Sequence, residues 1–135
     1  MKILGIEHIG IAVKDLDVSA PFWKDVLKIS HKGKETVAQE GVITDIYDTG
    51  RGKVELLKSM SSNSVIEKFL KNSGEGIHHV CFEVKNINKV ILELKELNIN
   101  VLSDHPTTGA EGNKVVFIHP KSTGGVLVEL AEKTS

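Results

Sequence analysis

Short runs of branched apolar residues at 6–13 and 78–84 predict strands, and each run gives way to apolar residues at helical spacing. Phe22, Val26 and Ile29 mark the first helical stretch, and Val90, Ile91, Leu94 and Leu97 the second. Asp17 and either Asn86 or Asn88 stand where caps belong, so helices are expected to run to about Leu27 and Leu97, with Pro21 in the first turn of the earlier one. Three further strands are expected after each helix, at 29–37, 41–48 and 53–58 and again at 100–103, 114–119 and 126–131. The order strand, helix, strand, strand, strand thus occurs twice. Between the copies, SSNSVIEKFLKNSGEG predicts a short helix over 63–71 and a glycine-containing linker.

The copies are also related residue by residue. Laying GIEHIGIAVKDL (Gly5–Leu16) over GIHHVCFEVKNI (Gly76–Ile87) matches Gly5 with Gly76, Ile6 with Ile77, His8 with His79, Val13 with Val84 and Lys14 with Lys85, at an offset of 71. KVELL (Lys53–Leu57) meets LVELA (Leu127–Ala131) at an offset of 74, so the copies differ by a three-residue loop change. Two copies are too few for a solenoid, which needs about three or more repeats. The expectation is one α+β domain over 1–135, a duplicated chain of two βαβββ repeats, about 1–60 and 75–135, joined by a short helical linker.

Side chains alternate between the faces of a strand, so parity sorts these residues. Ile9, Ile11 and Val13 share one face of the first strand and His8, Gly10 and Ala12 the other; Val80, Phe82 and Val84 oppose His79, Cys81 and Glu83 in the second copy. Glu55 and Glu129 each interrupt an apolar strand, where a carboxylate is costly to bury unless it is paired or bound to a cation. Taken singly, each residue has a structural account: strand histidines often sit in cores or rims, and strand glutamates face water. The duplication adds a second account, since His8, Glu55, His79 and Glu129 stand at equivalent places of the two copies. Two neutral imidazoles and two carboxylates balance a divalent cation, and mixed nitrogen and oxygen ligation suits zinc, cobalt, nickel, manganese or ferrous iron. His78 has the opposite parity, and His31 and His105 fall in or beside turns, where they are expected to be solvated. His119 precedes Pro120, where it can cap backbone or touch substrate. Cys81 reads as a small cavity-lining residue and Trp23 as a helix-packing one.

The composition excludes several classes. At 135 residues, 40% hydrophobic and 26% charged, the chain can bury a core without disulfides or a structural metal. Seventeen Lys and Arg against eighteen Asp and Glu leave a net charge of −1, without the basic field that nucleic-acid binding requires. A single cysteine rules out an internal disulfide. Glu7 interrupts any signal-peptide apolar core, and no apolar run approaches the roughly 18 residues of a membrane span. A cytoplasmic protein with no membrane and no nucleic-acid partner is expected. GxGxxG, phosphate-loop and CxxC patterns are absent from the sequence.

The paired modules resemble the vicinal oxygen chelate superfamily, and within it the methylmalonyl-CoA epimerases. GNKVVFIHPKSTGGVLVEL (Gly112–Leu130) is the most specific stretch, and KVELLKS followed by SSNSVIEKFLKNSGEGIHHVCFEV matches the epimerase order. The resemblance covers nearly the whole chain. It implies a cupped mixed sheet around a metal site formed by His8, Glu55, His79 and Glu129, often in a homodimer, with Glu55 standing where relatives carry Gln or Glu. It also implies that a divalent metal (Co, Zn, Ni or Mn) chelates the carboxylate and thioester oxygens of an acyl-CoA substrate. A carboxylate base, for which Glu129 is the candidate, would then remove the hydrogen at C2 to give a metal-stabilised enolate. One departure stands out. Where some epimerases carry a second carboxylate, this chain has Thr44, with Asp45 adjacent but of opposite parity.

The same four ligands fit glyoxalase I (lactoylglutathione lyase), acting on the glutathione–methylglyoxal hemithioacetal, and two His with one Glu would serve an extradiol dioxygenase around ferrous iron. A non-catalytic drug-binding relative would keep the fold without the metal. The HPK and GGVLVEL stretch favours the epimerase, and the retained ligand positions argue against drug binding.

Overall fold

A computed structural model describes residues 1–134. Its elements are β1 (Ile3–Ala12), α1 (Leu16–Pro21), β2 (Ser30–Val37), β3 (Val42–Asp48), β4 (Lys53–Ser59), α2 (Val65–Ser73), β5 (Gly76–Val84), α3 (Ile87–Glu96), β6 (Thr107–Thr108), β7 (Lys114–Ile118) and β8 (Val128–Glu132). The α+β order expected from the sequence is therefore present twice. The chain forms two compact units: one is His8–His78, the other Met1–Glu7 with the chain from His79 on.

In the 8–78 unit the strands lie in the order β2-β3-β4-β1. Two antiparallel pairings lead to β1, which runs parallel to β4. Val13, Leu16, Tyr47 and Leu56 form its buried core, with Ile11, Trp23 and Ile29 packed against them. That packing fixes the start of α1. Leu16 must be inside, so the cap is Asp15, whose carboxylate accepts from the Asp17 N–H (2.9 Å), rather than the expected Asp17. Pro21 closes α1 instead of lying in its first turn, and the continuous helix expected to Leu27 widens at Phe22–Val26. There the Leu27 N–H reaches five residues back to the Phe22 carbonyl (2.9 Å), the kind of widened turn that accompanies a proline without a donor. At α2, Ser64 caps the Glu67 N–H (3.1 Å), and Gly74, at φ 76°, takes the left-handed turn that ends the helix.

In the other unit the order is β5-β8-β7-β6, with β5 and β8 parallel. Ile87, Val90, Ile91 and Leu94 recur at helical spacing along α3 and pack on Val84, Val116, Ile118 and Leu130. Asn86 precedes this helix without a side-chain cap, and the Ile87 N–H is met by the Glu132 carboxylate (2.7 Å). The strand expected at 100–103 is reduced to a single bridge between Val101 and Ile118, and pairing on the far edge of β7 moves to Thr107–Thr108. The last strand begins at Val128, because Thr123 Oγ1 both donates to the Val126 carbonyl and accepts its N–H, holding that residue in a loop. Among the described residues no helix is long and apolar enough to cross a membrane.

Candidate metal centre

Register brings the predicted residues together in pairs, one pair in each unit. Gly10 on β1 lies opposite Glu55 on β4, so His8, two residues earlier, projects from the same face. His8 Nδ1 is 3.3 Å from Glu55 Oε2, with the two residues only 6% and 3% exposed. In the other unit Cys81 on β5 lies opposite Glu129 on β8, and His79 is again two residues earlier. His79 Nε2 is 3.0 Å from Glu129 Oε1, and both are buried. The duplication thus extends to strand register. Phe117 meets the His79 ring edge-on at 5.8 Å, and Cys81 packs against Val115 and Ala131 as the cavity-lining residue it was expected to be.

A buried carboxylate beside an imidazole is a strong donor pair: the histidine supplies a neutral nitrogen, the carboxylate an anionic oxygen. His8, Glu55, His79 and Glu129 all count among the buried groups able to hold a metal ion. Each pair offers one nitrogen, one oxygen and one negative charge, donors of the kind a first-row divalent cation takes.

The same register locates what the sequence left open. Glu55 faces Ile46 on β3, which faces Gly33 on β2; one step along, Leu57 faces Thr44, which faces Glu35. Residues directly opposite share a face, so Thr44 and Glu35 stand on the His8 and Glu55 side of the sheet. Thr44 is buried and Glu35 half-buried. Asp45 lies on the reverse face. Its carboxylate is taken up by the Tyr47 hydroxyl (2.7 Å) and by His31 Nε2 (2.5 Å), whose ring stacks near Tyr47 at 4.9 Å. His31 is exposed, as expected, but was placed in or beside a turn. It lies on β2 instead, and a register shift between His31 and Gly33 turns it onto the Asp45 face.

Burial first, and then the bond to Asp45, push the Tyr47 phenol above its ordinary value of 10.0. A raised phenol contributes stability that is whole below that ordinary value and fades as pH climbs beyond it. Tyr47 is the only tyrosine. Ultraviolet titration should therefore show no phenolate step near pH 10, with the phenolate band appearing only as the protein unfolds; a reversible step near 10 in folded protein would contradict this environment.

The remaining histidines have structural roles. His78 packs edge-on against Phe69 (5.0 Å), and His119 Nδ1 accepts from the Lys121 N–H (3.0 Å), the capping alternative of its two readings. His105 is exposed as expected. Glu7 escaped the sequence reading: it is 5% exposed and lies 3.3 Å from Lys133 Nζ. Its one signal is that the repeat sets it against His78, a polar residue at the matching place.

Residues 7–117 match the Glyoxalase/Bleomycin resistance protein/Dioxygenase superfamily, and the chain belongs to it, with the vicinal oxygen chelate fold. Within that superfamily several of its relatives are named as epimerases, which are isomerases. The mitochondrial methylmalonyl-CoA epimerase of Mus musculus is 41% identical over 132 residues, 97% of this chain and 74% of the mouse protein. The crystal structure of methylmalonyl-CoA epimerase from Mycobacterium tuberculosis superposes with a TM-score of 0.95 at 29% identity, covering 98% of this chain and 90% of that one. A variant of the Streptomyces coelicolor methylmalonyl-CoA epimerase, in complex with 2-nitronate-propionyl-CoA, gives 0.94 at 29% identity, covering 99% and 97%.

Proposed function

We propose that this chain epimerises methylmalonyl-CoA at C2, with His8, Glu55, His79 and Glu129 holding one divalent cation. The observation that carries the reading is the pair of buried His–Glu contacts, 3.3 Å and 3.0 Å, set at the same register in both units of a chain whose relatives are epimerases. A divalent cation held there would draw electron density from the substrate's carboxylate and thioester oxygens and so acidify the C2 hydrogen.

The protein's own groups do the rest. Glu129 accepts the C2 proton into its carboxylate, while the C–H electron pair stays on carbon and spreads into the thioester as a planar enolate. The nitronate bound by the Streptomyces protein is likewise a planar anion, which favours such an intermediate. His8 and His79, both buried, orient the carboxylates beside them and exclude water. Inversion also needs a proton delivered to the opposite face. Glu35 is the candidate, because it shares the sheet face of His8 and Glu55 and stands across from Thr44, one strand spacing (about 4.8 Å) from the expected position of a second carboxylate.

The test is exchange of the C2 hydrogen of methylmalonyl-CoA in deuterated water, with chelator-stripped protein and after adding cobalt or zinc. Metal-dependent exchange with epimerisation is expected, and Glu35→Gln should slow epimerisation more than exchange. Turnover of the glutathione–methylglyoxal hemithioacetal without exchange would move the reaction to glyoxalase I.

A further inference from the structure

Strand β2 carries one residue more than the stretch of β3 beside it. Six steps from His31 to Val37 answer five from Tyr47 to Val42, and Lys32 is left with no residue opposite. Both ends of the stretch are held. Upstream, His31 Nε2 meets the Asp45 carboxylate (2.5 Å), its ring lies 4.9 Å from that of Tyr47, and Ile29 packs against the core just before it. Downstream, Val37 is buried opposite Val42, itself buried. Between the two anchors Gly33 takes φ 125°, a conformation open to glycine and strained for a residue with a Cβ. A Cβ added there would meet nothing within 4 Å, so the glycine answers a need of the backbone and no shortage of room.

The bulge decides which side chain reaches the face of His8 and Glu55. Were β2 to run straight on from His31, Gly33 would face Asp45, Lys34 would face Thr44, and Glu35 would face Ile43 on the reverse side. An ammonium would then stand where the Glu35 side chain stands now. Were β2 to run straight back from Val37, Glu35 would stay, but His31 would move opposite Asp48 and leave Asp45 and Tyr47, drawing Ile29 after it. The first slip gives up the burial of one valine; the second gives up a hydrogen bond to a buried carboxylate, a ring contact and the packing of an isoleucine. A straight β2 therefore settles with Lys34 at Thr44. We infer, on the reading of Glu35 given above, that this bulge presents Glu35 to the reacting face in place of Lys34, and that Gly33, by permitting it, is a positioning residue for the proton that inversion needs.

The experiment makes Gly33→Val, which suits a strand and forbids the bulge, alone and together with deletion of Lys32, which removes the surplus residue. Epimerisation is compared with C2 exchange, and cross-strand nuclear Overhauser contacts of Thr44 report the register. Gly33→Val should bring Lys34 opposite Thr44 and slow epimerisation at least about tenfold more than exchange, the pattern expected of Glu35→Gln. Deleting Lys32 in that variant lets a straight strand keep both anchors, so Glu35 should return to Thr44 and epimerisation recover to within about threefold of wild type. A glycine needed for stability alone would not be rescued by a deletion. Failure of that rescue in folded protein would overturn the inference, as would Glu35 still facing Thr44 in Gly33→Val, or equal loss of epimerisation and exchange. Should Gly33→Val not fold, Gly33→Ala carries the same test with less strain. If Glu35→Gln itself epimerises normally, the proton-delivery reading has failed and the Overhauser contacts alone decide: Lys34 opposite Thr44 in Gly33→Val keeps the bulge as the device that sets this face, and Glu35 there removes it.

Discussion

Glu129→Gln is expected to cut kcat for epimerisation by roughly 10²–10⁴, the range a positioned proton acceptor supplies. The substitution changes little else. Gln is isosteric, its carbonyl oxygen can still stand 3.0 Å from His79, and Val128 and Leu130 keep their packing on either side. Removing a charge from a site only 4% exposed also relieves desolvation, so the melting temperature should not fall. What the amide cannot do is accept a proton. Turnover should therefore collapse while metal content falls far less, and C2 exchange should collapse along with epimerisation. Near-normal kcat would transfer the base role to another carboxylate.

His79→Ala should do the reverse and strike the metal. Even partners outside the ligand shell cost about 10–100-fold in metal affinity when replaced, so loss of a ligand should cost at least that. Metal analysis after gel filtration, with melts recorded with and without cobalt, reads this directly. A metal at a hundred times its dissociation constant stabilises the native state by about 2.7 kcal/mol, a shift that wild type should show and the variant should lack. His8→Ala provides the matching test in the other unit. One shared ion predicts that either replacement abolishes it, whereas retention of metal by either variant would dissolve the four-ligand assignment.

Most of the architecture was legible because the chain states it twice. The offsets of 71 and 74 tied His8 to His79 and Glu55 to Glu129 before any pairing was known, and parity then sorted each strand's faces. What escaped depended on register or local packing, which no single segment encodes. Glu35 looks like any half-exposed strand residue until the β2–β3 pairing sets it opposite Thr44. Asp45 and His31 could not be joined while the shift beside Gly33 was invisible, since one extra residue exchanges the faces of a strand. The cap at Asp15 was lost to Asp17 because KDLD offers two acids, and only burial of Leu16 decides between them.

The division of the chain also bears on how it is made. Residues 8–78 are contiguous and hold β2, β3, β4 and the residues of β1 that pair with β4, so that half can assemble as soon as His78 has left the ribosome. Residues 1–7 precede that unit in the chain but belong with the chain from His79 on. Glu7 meets Lys133, which is translated long after it, so that contact waits until both residues of the pair exist. Residues 1–7 thus complete their unit only once the chain from His79 on is present to receive them.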